Sequence, residues 1–233
     1  MTDTVRGLAV KEKTPLNRVQ KAMAKGMKTS VETLALSQLS RELDVSGLQA
    51  IRKQRAGGGK ALSLNTLLMA AVARTLPLHP FLNAELIENE IILFEPVNLG
   101  MAVATQAGLI VSVIQNADRL SLQEMDQEIN RLAERARGGK LELTDIEGGT
   151  FTVSNLGMFG VDNGNPLPRP PESAILLFGA VRPRPWVVDA QIVVCETCWA
   201  TLSYDHRFID GATAEGCMAD LNDYLAEPER LWP

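Results

Sequence analysis

Two histidines occur in this 233-residue chain, and one of them stands among residues that could carry out proton chemistry. His206 is followed four positions later by Asp210 and then by Gly211, whose small size allows a tight backbone turn. A carboxylate close to an imidazole orients the ring and stabilises the cation that forms when the ring accepts a proton. The spacing therefore indicates either a general base or a satisfied structural network, and by itself it leaves both interpretations open.

A second pattern, Cys195-Glu-Thr-Cys198, resembles a metal or redox pair. The chain has 3 cysteines, so it lacks a second pair that would complete a four-ligand site. The motif also lies in a β-rich run, where positions i and i+3 face opposite sides, whereas a redox pair needs the start of a helix. We predict structural roles for this pair, for Cys217 in the last helix and for His79 just past a helix end, and no metal site.

A third candidate is the hydroxyl of Ser154, which ends the β-rich run 150–154 and precedes a loop that contains Gly157 and Gly160. A hydroxyl at this place could donate a hydrogen bond to a reacting group. A plain strand end has the same pattern, so the sequence alone does not decide between the two.

The elements that must position these residues alternate between helices and strands. Helices are predicted from Thr14-Pro15, from Ser46, over Ser63–Leu76, after the capping box Ser121–Glu124, and over Gly211–Ala226. The β-rich runs are 31–43, 97–105, 109–115, 150–154, 174–181 and 191–203. No linker divides the chain, so the pattern predicts an N-terminal arm over 1–13 and one mixed α/β domain over 14–233.

Composition limits the class of protein. The chain is 45% hydrophobic and 22% charged, which is typical of a globular domain. Its longest apolar run, Ala174–Val181, has eight residues, whereas a membrane span needs about 20. The first residues lack the pattern of a secretory signal and the cysteines are few, so we expect a cytoplasmic or organelle-matrix protein that is not secreted. A net charge of −5 does not favour nucleic-acid binding.

Five segments together resemble the catalytic domain of dihydrolipoyl acyltransferases, the core subunits of 2-oxo acid dehydrogenase complexes. They are LNRVQKAMAKGM (16–27), VNLGMAVATQAGLIVSVIQNAD (97–118), GTFTVSNLGMFGVD (149–162), SAILLFGAVRPRP (173–185) and TLSYDHRFIDGA (201–212). The resemblance implies a two-layer α/β sandwich of the CoA-dependent, chloramphenicol acetyltransferase-like fold, with helices packed on a mixed sheet. It also implies a homotrimer, which could build a 24-mer or 60-mer core, with active sites between subunits.

The same resemblance implies roles for the candidate residues. His206 of one subunit would act as the general base and meet Ser154 of its neighbour, the oxyanion donor. Asp210 would hold the imidazole, with Arg18 as its partner and Gly211 as structural support. The substrates would be coenzyme A and a lipoyl group on a separate or missing domain, without a metal. The partners would be the decarboxylase and dihydrolipoyl dehydrogenase components.

The sequence departs from the family pattern at Val31–Ala35, at Ser112 and over Asn163–Pro171, segments expected to affect acyl specificity more than chemistry. Leu231 and Trp232 lie where family members carry a hydrophobic contact between trimers. Two other functions stay open at this point: a free-standing CoA-dependent acyltransferase for a small hydroxyl or amine acceptor, and a non-catalytic assembly core.

Overall fold

A computed structural model describes residues 3–55 and 61–231 of the chain. The helices are α1 (Arg18–Thr33), α2 (Ser46–Arg55), α3 (Leu64–Thr75), α4 (Leu122–Arg137) and α5 (Gly211–Ala226). The strands are β1 (Thr4–Val5), β2 (Leu8–Ala9), β3 (Leu36–Asp44), β4 (Ala84–Ile87), β5 (Glu90–Leu93), β6 (Leu99–Thr105), β7 (Gly108–Ile114), β8 (Phe151–Asn155), β9 (Ala174–Phe178), β10 (Arg182–Val188) and β11 (Gln191–Asp205).

The main sheet has seven strands and is mixed, as predicted. Its order is β10-β11-β9-β8-β6-β7, and β3 also pairs with β11. Strand β8 runs parallel to β6 and β9, whereas the other pairs are antiparallel. Strand β11 is long enough to pair with β10 through its first half and with β3 through its second half. The sheet therefore depends on β11, which leads directly to His206.

Helices α3, α4 and α5 cover one face of the sheet and form the core with it. Helix α3 is buried on nearly all sides because it packs between α4 and α5. Ser63 is its N-cap, and the Ser63 side chain accepts the backbone N–H of Thr66 at 2.9 Å. Helix α4 begins with the predicted capping box of Ser121 and Glu124. Leu231 is only 2% exposed and packs into the same core, whereas Trp232 lies outside the described residues. Within the described ranges, no helix is both long and apolar enough to cross a membrane.

The first helix begins later than predicted. Asn17, and not Thr14, is its N-cap, because the Asn17 side chain accepts the backbone N–H of Gln20 while the Gln20 side chain accepts that of Asn17. The helix also continues to Thr33, so the following strand starts at Leu36 and not at position 31. The described part of the N-terminal arm, residues 3–13, contains the exposed hairpin of β1 and β2.

Strand β10 is absent from the prediction, although it forms a seven-residue pairing with β11. It contains Pro183 and Pro185, which lack a backbone N–H and usually argue against a strand. An edge strand tolerates them because one of its sides has no partner to bond, and β10 is the last strand in the sheet order. The hairpin of β6 and β7 is present as predicted, with Gly108 at φ +129° after the turn.

Candidate active site

His206 lies one residue beyond the end of β11 and is exposed. Its backbone N–H donates to the carbonyl of Ala35 at 2.8 Å, and its ring stands 5.7 Å from the ring of Tyr204. In the described part of the chain, neither ring nitrogen of His206 has a hydrogen-bond partner. The imidazole is therefore held at its backbone while its nitrogens are free to meet a reactant.

Asp210 lies close to His206 but serves a different element. It is the N-cap of α5, and its Oδ1 accepts the backbone N–H of Thr213 at 2.7 Å. That backbone N–H, with the Thr213 hydroxyl, lowers the pKa of the Asp210 carboxyl, and the nearby His206 contributes less. The geometry of the single chain thus shows a helix cap, without a hydrogen bond between this carboxylate and the imidazole.

Gly211, expected to allow a tight turn, is the first residue of α5 and does not adopt a left-handed conformation. A Cβ added there would meet the Tyr204 hydroxyl at 4.0 Å, an ordinary contact. This position does not need the conformational freedom of glycine, because the helix begins here with regular backbone.

Ser154 is the penultimate residue of β8 and is half-buried. Its hydroxyl has no hydrogen-bond partner among the described residues. The chain behind it is fixed, because Asn155 accepts the backbone N–H of Gly157 at 2.9 Å and donates to Asn65 at 3.1 Å. A Cβ on Gly157 would lie 2.6 Å from the carbonyl oxygen of Gly179, so this close backbone approach requires glycine. Ser154 therefore presents a free hydroxyl from a rigid strand end.

The strand register separates Ser154 from His206 within one chain. Ser154 lies opposite Leu177 of β9, and Leu177 lies opposite Thr201 of β11. Asp205 ends β11 four residues beyond Thr201, about 13 Å farther along the sheet, and β9 separates β8 from β11 by about 10 Å. The backbone of Asp205, and of His206 after it, therefore lies roughly 16 Å or more from the backbone of Ser154. One chain does not bring the imidazole and the hydroxyl together.

Arg18 does not partner Asp210 in this structure. It is the first residue of α1 and is exposed, next to Asn17, whose side chain donates to the carbonyl of Ala107 at 3.1 Å. Among the described residues, no ion pair joins Arg18 to a carboxylate. The expected support role is not observed because α1 begins beside the turn between β6 and β7, whereas Asp210 begins α5.

Sequence reasoning missed an ion pair between the two neighbours of His206. The Asp205 side chain is 0% exposed and binds the Arg207 guanidinium at 2.6 Å. It also accepts the backbone N–H groups of Ala35 and Arg207, both at 3.2 Å. The hydrogen bond with Asp205 raises the pKa of Arg207 above its ordinary value. The available signal is the pattern Asp205-His206-Arg207 at the end of a strand.

The cysteines and the second histidine have structural surroundings, as predicted. Cys195, Cys198 and Cys217 are free and buried, and burial raises the pKa of Cys198 and Cys217 to about 12. A ring nitrogen of His79 shares a hydrogen bond with Asp220 on α5 at 2.7 Å, which ties the turn after α3 to that helix. No group of three potential metal ligands occurs among residues 3–55 and 61–231.

The chain matches the family model described as 2-oxoacid dehydrogenases acyltransferase (catalytic domain) over residues 9–232. It is 36% identical over 225 residues to the dihydrolipoyllysine-residue succinyltransferase component of the 2-oxoglutarate dehydrogenase complex of Bartonella vinsonii subsp. berkhoffii. That match covers 94% of this chain and 55% of the relative, so the chain spans about half the length of the curated relatives it matches.

Solved structures of similar fold belong to proteins of the same kind. One is the structure of Azotobacter vinelandii dihydrolipoamide acetyltransferase, from an investigation of the role of a serine, a histidine and an asparagine in its catalytic mechanism. Another is the cubic core of a pyruvate dehydrogenase multienzyme complex. Each is 31% identical, has a TM-score of 0.92, and covers 98% of this chain and 96% of its own. A chloramphenicol acetyltransferase at 12% identity and a TM-score of 0.55 shares the fold. The chain belongs to the family of acyltransferase catalytic domains of the 2-oxoacid dehydrogenases.

Proposed function

We propose that this chain transfers an acyl group between dihydrolipoamide and coenzyme A, as the catalytic core of a 2-oxo acid dehydrogenase complex. One observation carries the proposal: Ser154 and His206 each present a reactive group without a partner among the described residues. The serine, histidine and asparagine studied in the Azotobacter relative are spaced along that protein as Ser154, His206 and Asp210 are spaced here. Asp210 replaces the asparagine, and both residue types cap helices well.

The chemistry follows from the two side chains. A thiol attacks a thioester, a new thioester forms, and the other thiol leaves with a proton. A thiol of pKa about 8.5 is mostly protonated at neutral pH, so neutral His206 would take its proton during attack, a contribution of about 10²–10⁴-fold. The Ser154 hydroxyl would donate to the thioester oxygen as negative charge develops there, and loss of such a donor costs about 10²–10³ in rate. The proton on His206 would then go to the leaving thiolate.

The separation of the two groups supports an active site between chains. Because Ser154 and His206 lie roughly 16 Å or more apart in one chain, a shared site requires His206 of one subunit and Ser154 of another. A closed cyclic assembly repeats that contact, and we propose a homotrimer. The relative in a cubic core supports a larger assembly such as a 24-mer, with a 60-mer as the other expected size.

Substrates and partners follow from the same relatives. Succinyl and acetyl groups are the acyl groups named for them, so both are candidates here. The lipoyl group would arrive on a separate domain, and the decarboxylase and dihydrolipoyl dehydrogenase components would be the partners. A bacterial cytoplasm or an organelle matrix is the expected location, since the relatives include bacterial and mitochondrial proteins.

The test is an acceptor assay on the purified protein together with its mass in solution. Acetyl-CoA and succinyl-CoA are each incubated with free dihydrolipoamide, and in parallel with a panel of small hydroxyl and amine acceptors. We expect thioester formation on dihydrolipoamide, a mass that is a multiple of a trimer, and losses of about 10²–10⁴-fold for His206→Ala. Transfer to alcohols or amines alone would indicate a free-standing acyltransferase. Assembly without transfer to any acceptor would indicate a structural core.

A further inference from the structure

The end of β11 holds His206 by backbone bonds to two other parts of the sheet. The backbone N–H of Asp205 donates to the carbonyl of Ser173 at 2.9 Å, and that of His206 donates to Ala35 at 2.8 Å. The segment is thus bonded to the residue before β9 and to the residue before β3. The position of the imidazole depends on these contacts and on the Tyr204 ring 5.7 Å away, because its own ring nitrogens make no hydrogen bond among the described residues.

The Asp205 carboxylate joins these contacts from inside. Its Oδ1 accepts the backbone N–H of Ala35, so Ala35 donates to the Asp205 side chain while its carbonyl accepts from His206. The same Oδ1 accepts the backbone N–H of Arg207, immediately after His206. One buried side chain therefore fixes the backbone on both sides of His206 and the start of the strand that pairs with it.

Arg207 completes the arrangement. Its Nε and Nη2 donate to Asp205 Oδ2 at 2.8 and 2.6 Å, and Nε also lies 3.0 Å from Oδ1, so the guanidinium and the carboxylate form a multiply bonded pair. The Asp205 side chain is 0% exposed and that of Arg207 is 40% exposed. A buried carboxylate without compensation is costly, and this pair supplies the opposite charge while leaving the guanidinium at the surface. The pair spans the backbone of His206.

We infer that Asp205, with Arg207, is a positioning residue that sets the backbone of His206 and thereby aims its imidazole at the attacking thiol. This inference rests on the proposed function. Misplacement of a catalytic group by about 1 Å costs as much as about 10²-fold in rate, so we expect loss of the Asp205 contacts to lower kcat. Neither Asp205 nor Arg207 needs to contact a substrate.

The experiment compares Asp205 with Asp145, a second buried aspartate in similar surroundings. Asp145 has a side chain 5% exposed, pairs with Arg131 at 2.9 Å and accepts the backbone N–H of Glu142. It lies beside β7, which is at the other end of the sheet order from β10 and β11. We expect Asp205→Ala to lower kcat about 10–10²-fold with KM for CoA within about twofold, and Asp145→Ala to leave kcat within about twofold. Both variants are compared at equal assembled protein, measured by light scattering.

A pH series separates aiming from loss of folded protein. A thiol ionises without help as the pH approaches its own pKa, about 8.5, so the kcat deficit of Asp205→Ala should shrink toward that pH. If the lower kcat only reflects a smaller amount of folded enzyme, the deficit should not shrink as the pH approaches the pKa of the thiol. If Asp205→Ala does not assemble, Arg207→Lys keeps the charge but loses the forked contact, and a several-fold loss in kcat is expected.

Unchanged kcat in Asp205→Ala and Arg207→Lys, or an equal deficit in Asp145→Ala, would overturn the inference. His206→Ala is measured in the same series. If that variant is inactive while the Asp205 variant is not impaired, only the positioning role fails. If His206→Ala retains wild-type activity, the proposed function itself fails.

Discussion

Mixing two inactive variants should restore activity if the site lies between chains. His206→Ala removes the base and Ser154→Ala removes the oxyanion donor, and each should retain about 1% of wild-type activity or less. In a mixed assembly, one kind of interface pairs the intact His206 of a Ser154→Ala chain with the intact Ser154 of a His206→Ala chain. The distance of roughly 16 Å or more within one chain makes this the arrangement in which both groups meet.

The expected recovery can be counted. With equal amounts and random mixing, an interface has a chance of one half of receiving an intact histidine and one half of receiving an intact serine. Before selection, about one quarter of all interfaces then carry both groups. Purification through both tags removes assemblies of a single chain type, which raises this share to about one third for a trimer and leaves it near one quarter for a much larger assembly. The doubly tagged protein should show about a quarter to a third of wild-type activity, which is more than about tenfold above either variant alone.

The assay uses two differently tagged chains that are co-expressed and purified through both tags. Acyl transfer from CoA to dihydrolipoamide is then measured per mole of chain. The matched control mixes His206→Ala with His206→Gln, which supplies no intact histidine and should show no recovery. If the doubly tagged protein contains both chains but transfers acyl groups no faster than the single variants, the site does not lie between subunits.

Three further predictions concern individual side chains. Asp210→Ala should lower the Tm, whereas Asp210→Asn should preserve it near neutral pH because asparagine also caps helices. Since the contacts with Thr213 lower the Asp210 pKa, the ionised cap stabilises the folded chain above the ordinary carboxyl value of 3.8, and this stabilisation is lost as the pH falls through the folded pKa. Thermal unfolding against pH should therefore show a loss in acid for the wild type that is smaller in Asp210→Asn, and parallel curves would contradict the cap. Burial raises the pKa of Glu172 despite its contacts with Arg169 and Thr152, so its contribution to stability is greatest below the ordinary value of 4.5 and declines as the pH rises through the folded pKa. Glu172→Gln should flatten that slope in the same measurement, and an unchanged slope would show that another group causes it. Gly157→Ala should destabilise the chain by about 1–3 kcal/mol in denaturant unfolding and reduce acyl transfer, because its Cβ would lie 2.6 Å from the Gly179 carbonyl oxygen.

Local patterns predict much of the fold. The helix after Ser63 and the helix after Ser121 are placed correctly because an N-cap and an apolar period act within one element. Errors arise where two local signals compete or where a rule depends on neighbours. Asn17 displaces Thr14 as a cap, and the prolines of β10 are acceptable only because that strand lies at an edge.

The candidate site also has features that the sequence predicts and features that depend on the fold. His206 can be recognised as a candidate along the chain from its spacing to Asp210, whereas Ser154 becomes a candidate oxyanion donor only through the family resemblance. An ion pair between Arg18 and Asp210 cannot be predicted in this way, because it depends on where α1 lies relative to α5. No such pair is present among the described residues of the single chain. The buried ion pair of Asp205 with Arg207 has only a weak signal in the sequence, the pattern Asp205-His206-Arg207, because a carboxylate beside a histidine resembles any polar residue until its burial is known.

The reactive groups, the helix caps and the family pattern are readable from the amino-acid sequence alone, since they depend on side-chain chemistry and on neighbours within a few positions. Three features emerge only in the folded chain: Ser154 and His206 are far apart, Asp210 is bound to its helix, and Asp205 is enclosed with Arg207. The reason is that strand order and register place these groups, and contacts between distant parts of the chain determine that register.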